Sequence, residues 1–515
     1  MPRWFNTAGP CNPAHHYMLP ATERLPQVKG LIAEHGYFVI HAPRQTGKTT
    51  AMLALAQQLT ESADYAAVWV SAETAGVYSS QPDIAEITFL DELRDAALSL
   101  PKRWQPPLWP EAAIGRRVGA GLRAWASTIP RPLVIFIDEI DSLEGTTLIS
   151  ILRQLRTGYI HRPKFFPQSI ALIGLRDVRD YKIAAGGSQR LNTASPFKIK
   201  VESLTLRDFT AAEVATLYAQ HTQETGQLFT AEAIETAYIL TQGQPWLVNA
   251  LARQLVKELV CDPAIAITAE HVNQAKESLI QRQDTHIDSL AERLREPRVK
   301  AIMEPILAGR ELGDISPDDR QYVVDLGLVK RDPQGGFIIA NPIYREILPR
   351  VLARGPQDSL PSIQPLWLTP AGTLDAEGLL EAFLSFWRQH GQPLLNSAPY
   401  AEIAPHLVMM AFLHRVVNGG GQLEREYAIG SDRMDLCLRY GQVTLAMELK
   451  VWREGRPDPL KAGLAQLDKY LAGLSLDQGW LVIFDQRPGL SAIAERTQTE
   501  AATTPSGRAI TVIRG

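Results

Sequence analysis

The first strong pattern along the chain is "YFVIHAPRQTGKTTAMLALAQQL", residues 37–59, where an apolar run gives way to a loop and then to Met52, Leu53, Leu55 and Ala56 at helical spacing. An unbroken apolar run reads as a buried strand and the 3.6-residue spacing as a helix, so the stretch predicts strand, loop, helix. Two more apolar runs follow, Leu133 to Ile137 within "RPLVIFIDEIDSL" and the middle of "SIALIGLRDVRDY". Runs without polar interruption belong to strands covered on both faces, the habit of a parallel sheet between helices. From Phe209 to Leu259 the period is helical throughout, broken by "GQPW" at residues 243–246, where Gly243 and Pro245 punctuate two helices.

Further on, residues 297–352 carry helical patterns and then "GLVKRDPQGGFIIAN", two short apolar segments around a Pro-Gln-Gly-Gly turn, which predicts a β-wing and hence a winged helix. Residues 353–378 are dense in Pro, Ser and Gly and read as a linker. After the helical segment "GLLEAFLSFWRQHGQPLL", the tail runs helix ("YAEIAPHLVMMAFLHRVVNGGG"), strand ("QLEREYAI"), strand ("DRMDLCLRYG"), strand ("VTLAMELK"), helix ("PLKAGLAQLDKYLAGL") and strand ("GWLVIFDQR"). The order is αβββαβ. The expected divisions are an α/β core with its lead-in at 1–200, a helical segment at 201–290, a winged helix at 291–352, a linker at 353–384 and the tail unit at 385–515.

Composition narrows the class. A chain of 515 residues exceeds one ordinary core, and at roughly 100–200 residues per domain it predicts several packed units. Apolar and charged fractions of 45% and 21% are those of folded proteins. The only cysteines, Cys11, Cys261 and Cys437, have no paired or metal-ligand spacing, which excludes a disulfide scaffold and argues against structural zinc. The beginning lacks the basic segment and apolar run of a secretory signal, and no uninterrupted apolar stretch reaches the roughly 18 residues of a membrane span. The expectation is a soluble, cytoplasmic protein without a membrane partner. A formal charge of −4 holds no basic excess, so any nucleic-acid contact must come from a local patch.

The loop Ala42, Pro43, Arg44, Gln45, Thr46, Gly47, Lys48, Thr49 and Thr50 lies between strand and helix, where backbone N–H groups and the positive helix end surround phosphates. In such a loop Lys48 reaches the β and γ oxygens of ATP and Thr49 holds Mg²⁺. The family pattern opens with Gly, whereas this loop opens with Ala42. The second strand supplies a partner motif: Asp138 and Glu139 stand at the carboxyl end of a central strand, where open α/β sheets bind ligands. Asp138 orients Mg²⁺ and Glu139 polarises the attacking water on this reading; the plain alternative is a buried strand ending in a solvated acidic turn. The third apolar run, ending in Gly174, Leu175 and Arg176, resembles the strand after the Walker B strand in AAA+ and related signal-transducing ATPases, which makes Arg176 a candidate γ-phosphate sensor. The 209–259 helices with their Gly-x-Pro turn resemble the helical lid of archaeal-type and STAND-type ATPases, and the lead-in "RWFNTAGPCNPAHHYMLP" resembles segments that wrap the adenine side, with His16 and Tyr17 as stacking candidates. The candidate recognition helix of the winged segment, "SPDDRQYVVDLG", is acidic. DNA-facing helices need Lys and Arg, so a scaffolding or protein-partner role is favoured for it.

In the tail, Asp435 alternates with Leu436, and Glu448 and Lys450 are two apart and share one strand face. If the hairpin registers about Arg439 and Thr444, Asp435 and Glu448 lie near each other across it. Two close carboxylates repel unless a divalent cation lies between them; oxygen ligands favour Mg²⁺ or Mn²⁺, and Lys450 could steady a hydroxide or a pentacovalent phosphate. The plain alternative is a solvated hairpin face, with Leu445, Met447 and Leu449 supplying the buried one. The arrangement resembles the PD-(D/E)XK nuclease superfamily. That resemblance implies metal ligation by Asp435, Glu448 and, on the preceding helix, Glu402, a catalytic Lys450, and a Gln-x3-Tyr helix motif at Gln466 and Tyr470; the Pro that precedes Asp in the superfamily name is here Met434.

The whole chain resembles prokaryotic AAA-type ATPases with an archaeal-ATPase (STAND-like) core, a winged helix and a C-terminal nuclease-like domain. The resemblance implies ATP with Mg²⁺ at one site, Mg²⁺ or Mn²⁺ at the other, DNA as substrate, and nucleotide gating of cleavage. A homo-oligomer supplying an arginine finger from Arg153 or Arg156 is compatible with it, and the alternative is a nucleotide-dependent regulatory scaffold whose tail binds DNA or a partner without cutting.

Overall fold

A computed structural model describes residues 3–176, 199–282, 292–308, 312–332, 335–358, 367–369, 372–397, 400, 403–417, 421–429 and 432–515. The chain forms two compact units, Met1–Gln283 with Ser316–Pro342, and Asp284–Ile315 with Ile343–Gly515.

The first unit is built on a five-stranded sheet ordered β2-β3-β4-β1-β5: β1 (Tyr37–His41), β2 (Ala66–Ser71), β3 (Leu133–Asp138), β4 (Ser169–Gly174) and β5 (Lys200–Thr205). All pairings are parallel, and β1 lies between β4 and β5. Strand parity explains the continuous apolar runs. Tyr37, Val39, Val68, Val70, Ile135, Ile137, Ile170 and Leu172 pack on one face against Phe89 and Leu93 of helix α2 (Pro82–Ala96), Trp125 of α3 (Arg117–Thr128) and Leu152 of α4 (Gly145–Gly158). Phe38, Ile40, Val134, Phe136, Ala171 and Ile173 face the other way, onto Met52, Leu55, Ala56 and Leu59 of α1 (Lys48–Glu61). Each fully buried aliphatic or aromatic side chain contributes about 1.5–3 kcal/mol, so a strand buried on both faces holds its register firmly. In α/β sheets of this kind the ligand crevice opens where strand order reverses, here at the carboxyl end of β1. The loop between β1 and α1 sits there.

Helices α5 (Ala211–Thr225), α6 (Ala231–Thr241), α7 (Pro245–Gln254) and α8 (Ala269–Arg282) complete this part. Thr210 and Glu213 form a reciprocal capping box that starts α5, an arrangement worth about 1 kcal/mol. The turn between α6 and α7 needs glycine: Gly243 has φ +78°, and a Cβ there would stand 1.9 Å from the carbonyl oxygen of Phe209. Pro245 opens α7 at its first position, where a missing N–H costs nothing.

The expected winged segment at 291–352 is divided between the units. Its helix α9 (Pro317–Asp325) and the antiparallel hairpin of β6 (Val329–Arg331) and β7 (Phe337–Ile339) belong to the first unit. Its flanking helices, Pro297–Leu307 and most of Pro342–Asp358, belong to the second. The expected linker at 353–384 is helical at both ends, since one helix continues to Asp358 and α10 (Ala376–Ser397) has begun by Ala376. Apolar residues at Ile343, Ile347, Leu348 and Leu352 bury one side of the former, and this stripe sustains the helix up to the Pro/Ser-rich stretch.

The second unit holds a six-stranded sheet ordered β12-β13-β11-β10-β9-β8. Its strands are β8 (Gly421–Ile429), β9 (Asp432–Tyr440), β10 (Val443–Trp452), β11 (Gln478–Asp485), β12 (Gln498–Thr503) and β13 (Ala509–Arg514). Helix α11 (Ala404–Val417) precedes β8 and is buried almost all round, while α12 (Leu460–Leu474) joins β10 to the parallel β11. Cys437, Ala446, Leu481 and Ile483 meet Leu467, Tyr470 and Leu471 of α12 in one core. The αβββαβ order expected from the sequence is present, and two strands extend it: β13 adds parallel to β11, and β12 pairs antiparallel at the edge. Among the described residues no helix is long and apolar enough to cross a membrane.

Candidate functional site

Strand β1 ends at His41 and α1 begins at Lys48, so the loop between them is drawn tight over the helix N-terminus. Gly47, at φ +89°, makes the turn into the helix. Ala42 is absent from the left-handed residues, so the first loop position does not need glycine and the departure from the family pattern is harmless here. Thr46 donates its hydroxyl to Pro43 (2.9 Å), and Lys48 Nζ donates to the carbonyls of Ala42 (2.7 Å) and Pro43 (2.8 Å). Burial pulls the Lys48 ammonium down to about 8. Arg44 is exposed at the loop tip, and Thr50 Oγ1 accepts from the N–H of Cys11 (3.0 Å), tying the lead-in to α1.

Parallel pairing brings the end of β3 beside this helix. Thr49 Oγ1 donates to Asp138 Oδ2 at 2.7 Å, although the two are far apart in sequence, and the indole N–H of Trp69 donates to the same oxygen at 3.1 Å. Asp138 is buried. Glu139 has φ +55°, accepts from the Ser71 hydroxyl, and has its carboxyl raised, chiefly by burial with Glu73, Asp138 and Asp141 adding to it. Gln45 to Thr50, Trp69, Ser71, Glu73 and Glu139 line a cavity of about 530 Å³. Residues of the lead-in, Phe209 just before α5, and residues of α5 and α7 line it too, including Tyr17, Met18, Leu217, Pro245 and Trp246. A serine or threonine hydroxyl paired with a buried carboxylate beneath an ammonium is a donor set suited to Mg²⁺ and phosphate.

The other expected residues fall outside this cavity or sit differently in it. Tyr17 lines the cavity but is 1% exposed, with its ring against Phe5 (4.8 Å) and His221 (5.5 Å). His16 instead packs edge-on to Trp4, and its Nδ1 accepts from the N–H of Asn12. Arg153 and Arg156 are exposed on α4.

Arg176, expected as a sensor, is held by α9. It is 4% exposed, pairs with Asp325 at 3.2 Å and Asp318 at 3.9 Å, and lies over the Tyr322 ring at 4.9 Å. The acidity of this helix thus has a local cause: two of its carboxylates face an arginine at the end of β4. The same segment reaches two other parts of the site. A Cβ on Gly327 would come within 2.8 Å of the Pro43 ring, and Lys330 Nζ donates to Gln242 at 2.8 Å. Asp325→Ala removes the nearer carboxylate from the buried Arg176 guanidinium, and breaking such pairs costs about 3–5 kcal/mol. Urea unfolding of this variant is expected to show a loss of about 3 kcal/mol; a change below about 1 kcal/mol would mean that the pair is solvated.

In the second unit the hairpin has the register read from the sequence, with Thr444 opposite Arg439 and Met447 opposite Leu436. One step further sets Asp435 level with Glu448. Asp435 Oδ2 accepts from the N–H of Leu449 at 2.8 Å. Glu448 is fully buried; its Oε1 accepts from Lys450 Nζ, while its Oε2 is buried without a hydrogen-bond partner. Burial, with Asp435 beside it, pushes the Glu448 carboxyl upward. Lys450 Nζ also donates to Gln466 Oε1 (2.9 Å), and Gln466 Nε2 donates to the Tyr470 hydroxyl (2.7 Å), so β10 and α12 share one polar chain. Glu402 lies outside the described residues. Among the described residues no group of three or more His, Cys, Asp and Glu side chains is arranged to hold a metal. Asp435 and Glu448 form a pair, with Glu448 Oε2 left without a hydrogen-bond partner.

No protein-family model matches the chain, and no curated protein does. Solved structures are similar in part. The Walker-type ATPase PABY2304 of Pyrococcus abyssi shares 14% identity over 66% of this chain and 98% of its own, with a TM-score of 0.46. The RuvB Holliday junction branch migration motor of Thermotoga maritima shares 15% over 62% of this chain and 90% of its own (TM-score 0.33). The ORC1 protein of Aeropyrum pernix, solved in complex with DNA, shares 16% over 63% and 90% (TM-score 0.34). The assignment of the first unit to a P-loop nucleoside triphosphatase fold rests on its own topology: the strand order, the loop after β1 and the carboxylate ending β3.

Arg24 is a residue of the loop's surroundings that the sequence reading missed. Its guanidinium donates to the Thr46 carbonyl (3.0 Å from each Nη) and to that of Arg207 (2.9 Å), and stacks over Phe209 at 4.9 Å. It clamps the loop from behind. No local signal marks it, since an arginine in "ATERLPQ" looks like any helix-end cation.

Proposed function

We propose that the protein binds and hydrolyses ATP with Mg²⁺ and that nucleotide occupancy gates a nuclease site in the second unit, acting on DNA with Mg²⁺ or Mn²⁺. The observation that carries the first half is the Thr49–Asp138 hydrogen bond beside Lys48 at the wall of the cavity. On this reading Lys48 exchanges its two loop carbonyls for phosphate oxygens, and Glu139, held by Ser71, accepts the proton of the attacking water. Asp138 and Thr49 hold the cation, which would supply charge neutralisation on the transferred phosphoryl group. In the second unit Asp435 and Glu448 would hold the other cation, while Gln466, itself bonded to Tyr470, holds Lys450 beside Glu448 Oε1. Support for gating comes from connectivity. Segment Ser316–Pro342 contacts the loop, Arg176 and Gln242, yet it is covalently joined at both ends to residues of the second unit.

The alternative, a scaffold whose tail binds without cutting, is favoured by one feature, the Lys450 ammonium already compensating Glu448. Cleavage of single- and double-stranded DNA in Mg²⁺ or Mn²⁺, with and without ATP, separates the two. The gated nuclease predicts cutting by wild type that changes at least about threefold on adding ATP and loses that response in Lys48→Ala. Absence of cutting under all conditions, with ATP still bound, would favour the scaffold.

A further inference from the structure

The second unit holds a further cavity, of about 430 Å³, at the carboxyl ends of the parallel strands β10 and β11. Such strand ends are where α/β sheets take ligands. The N–H of Gln486 donates to the carbonyl of Trp452 at 2.8 Å and ties the two strand ends together. Arg388 of α10 donates to the carbonyl of Thr497 at 3.0 Å, which fixes the end of the short helix Ile493–Arg496. Three arginines line the cavity: Arg453 directly after β10, Arg487 after β11, and Arg496 on the short helix. Among the described lining residues Asp485 is the one carboxylate.

These cations are not equivalent. Arg487 is engaged by Asp485, with Nε 2.9 Å from Oδ1 and Nη2 2.7 Å from Oδ2, and lies over the Trp452 ring at 3.5 Å. Their charges cancel. For the Arg496 guanidinium, no hydrogen bond or ion pair exists among the described residues. Its Nε is buried without a partner, whereas neither Nη is, so both Nη nitrogens are open to solvent. Burial pulls this guanidinium below its ordinary value, with Asp485 opposing and Arg487 reinforcing the shift. An anion in the cavity relieves that cost. The planar fork of arginine matches phosphate oxygens, and its weak hydration suits a half-enclosed site. Arg453 follows Lys450 by three residues on the same strand, about 10 Å along it, so a DNA strand held at Asp435 and Glu448 has a second phosphate within reach of the cavity. We infer that this cavity binds a phosphate group of a DNA strand through Arg496, with Arg453 adding to the positive wall. The inference rests on the DNA reading above, and the phosphate is either a backbone diester or a terminal monoester.

The test is fluorescence anisotropy of a labelled single-stranded oligonucleotide, with and without a 5′-phosphate, binding the full chain in EDTA over a series of KCl concentrations. EDTA stops cleavage, so only binding is read. The proteins are wild type, Arg496→Gln, Arg453→Gln and, as a control for charge, Arg123→Gln, an exposed position on α3, each with a melting curve. Arg496→Gln is expected to weaken binding about 10-fold, the scale of a hydrogen bond to a charged group. The slope of log affinity against log salt should fall by about 0.7, the share of one phosphate on a single strand, while Arg123→Gln stays within about twofold of wild type. Loss for both oligonucleotides alike assigns a backbone phosphate; loss confined to the phosphorylated one assigns the terminal group. A folded Arg496→Gln that binds like wild type overturns the inference and leaves the DNA reading intact, as does an equal loss in Arg123→Gln. Wild type that binds neither oligonucleotide overturns both. Arg453→Gln carries the same expectation from the β10 side and decides the matter if Arg496→Gln fails to fold.

Discussion

Lys48→Ala is expected to lower ATP turnover by at least about 100-fold, the scale seen when one preorganised donor to a developing charge is removed. The ammonium is the one cation among the loop residues that line the cavity, and burial already holds it down to about 8 without phosphate nearby. The ammonium rests on two carbonyls with Asp138, Asp141 and Glu139 near it, and on the nucleotide reading phosphate oxygens would take the place of those carbonyls. Removing the side chain leaves those carbonyls with other routes to hydrogen bonds and should barely alter stability. The measurement is steady-state turnover together with binding of a fluorescent ATP analogue and a melting curve. Turnover within about threefold of wild type would refute the assignment of the loop; equal loss of turnover and of folded protein would show a structural effect instead.

The second large effect is expected at β10. Glu448→Ala should reduce metal-dependent DNA cleavage by more than about 100-fold, since even residues that merely orient metal ligands cost 10–100-fold. The reason lies in the oxygen inventory: Oε1 is engaged by Lys450 and Oε2 has no partner, so the oxygen that a cation requires is free of protein competition. Glu448→Gln keeps size and a hydrogen-bond acceptor while removing the charge, and it should lose cleavage nearly as fully. Stability gives the control. Lys450 keeps Gln466 and remains 23% exposed, so the ammonium can be rehydrated when Glu448 is replaced. A folded Glu448→Gln that cuts like wild type would rule out a ligand role, and calorimetry with Mn²⁺ should show loss of binding in both variants. Because one oxygen of this buried carboxylate, Oε2, has no partner and is costly to bury, the melting temperature of Glu448→Gln should be equal to or above that of wild type.

Much of this was legible in the sequence, for definite reasons. The phosphate loop is contiguous, so nine neighbouring residues carry their own geometry once a strand precedes and a helix follows. The hairpin register could be read because side chains alternate every two residues and the turn at Gly441 and Gln442 fixes the pairing. Less visible was β13, a short alternating segment beyond the last expected strand, which gains its place by pairing with β11 on one side and β12 on the other. The stretch read as a linker carries helix at both ends, because Pro and Ser dominate its middle while apolar residues flank it.

The sequence alone determined the local motifs: which segments are strands, where phosphate-binding and carboxylate residues lie along them, and which face of β10 carries Glu448 and Lys450. Periodicity encodes the face a side chain presents, and adjacency encodes a loop. The tertiary structure decided which distant residues meet. Asp138 reaches Thr49 because β3 and β1 are set in one parallel sheet; Arg24 grips Thr46 from a preceding turn; and Arg176 finds Asp325 across 149 positions. These encounters depend on closing long loops and on burying both sheet faces, and no local pattern specifies the outcome of that competition between chain entropy and packing.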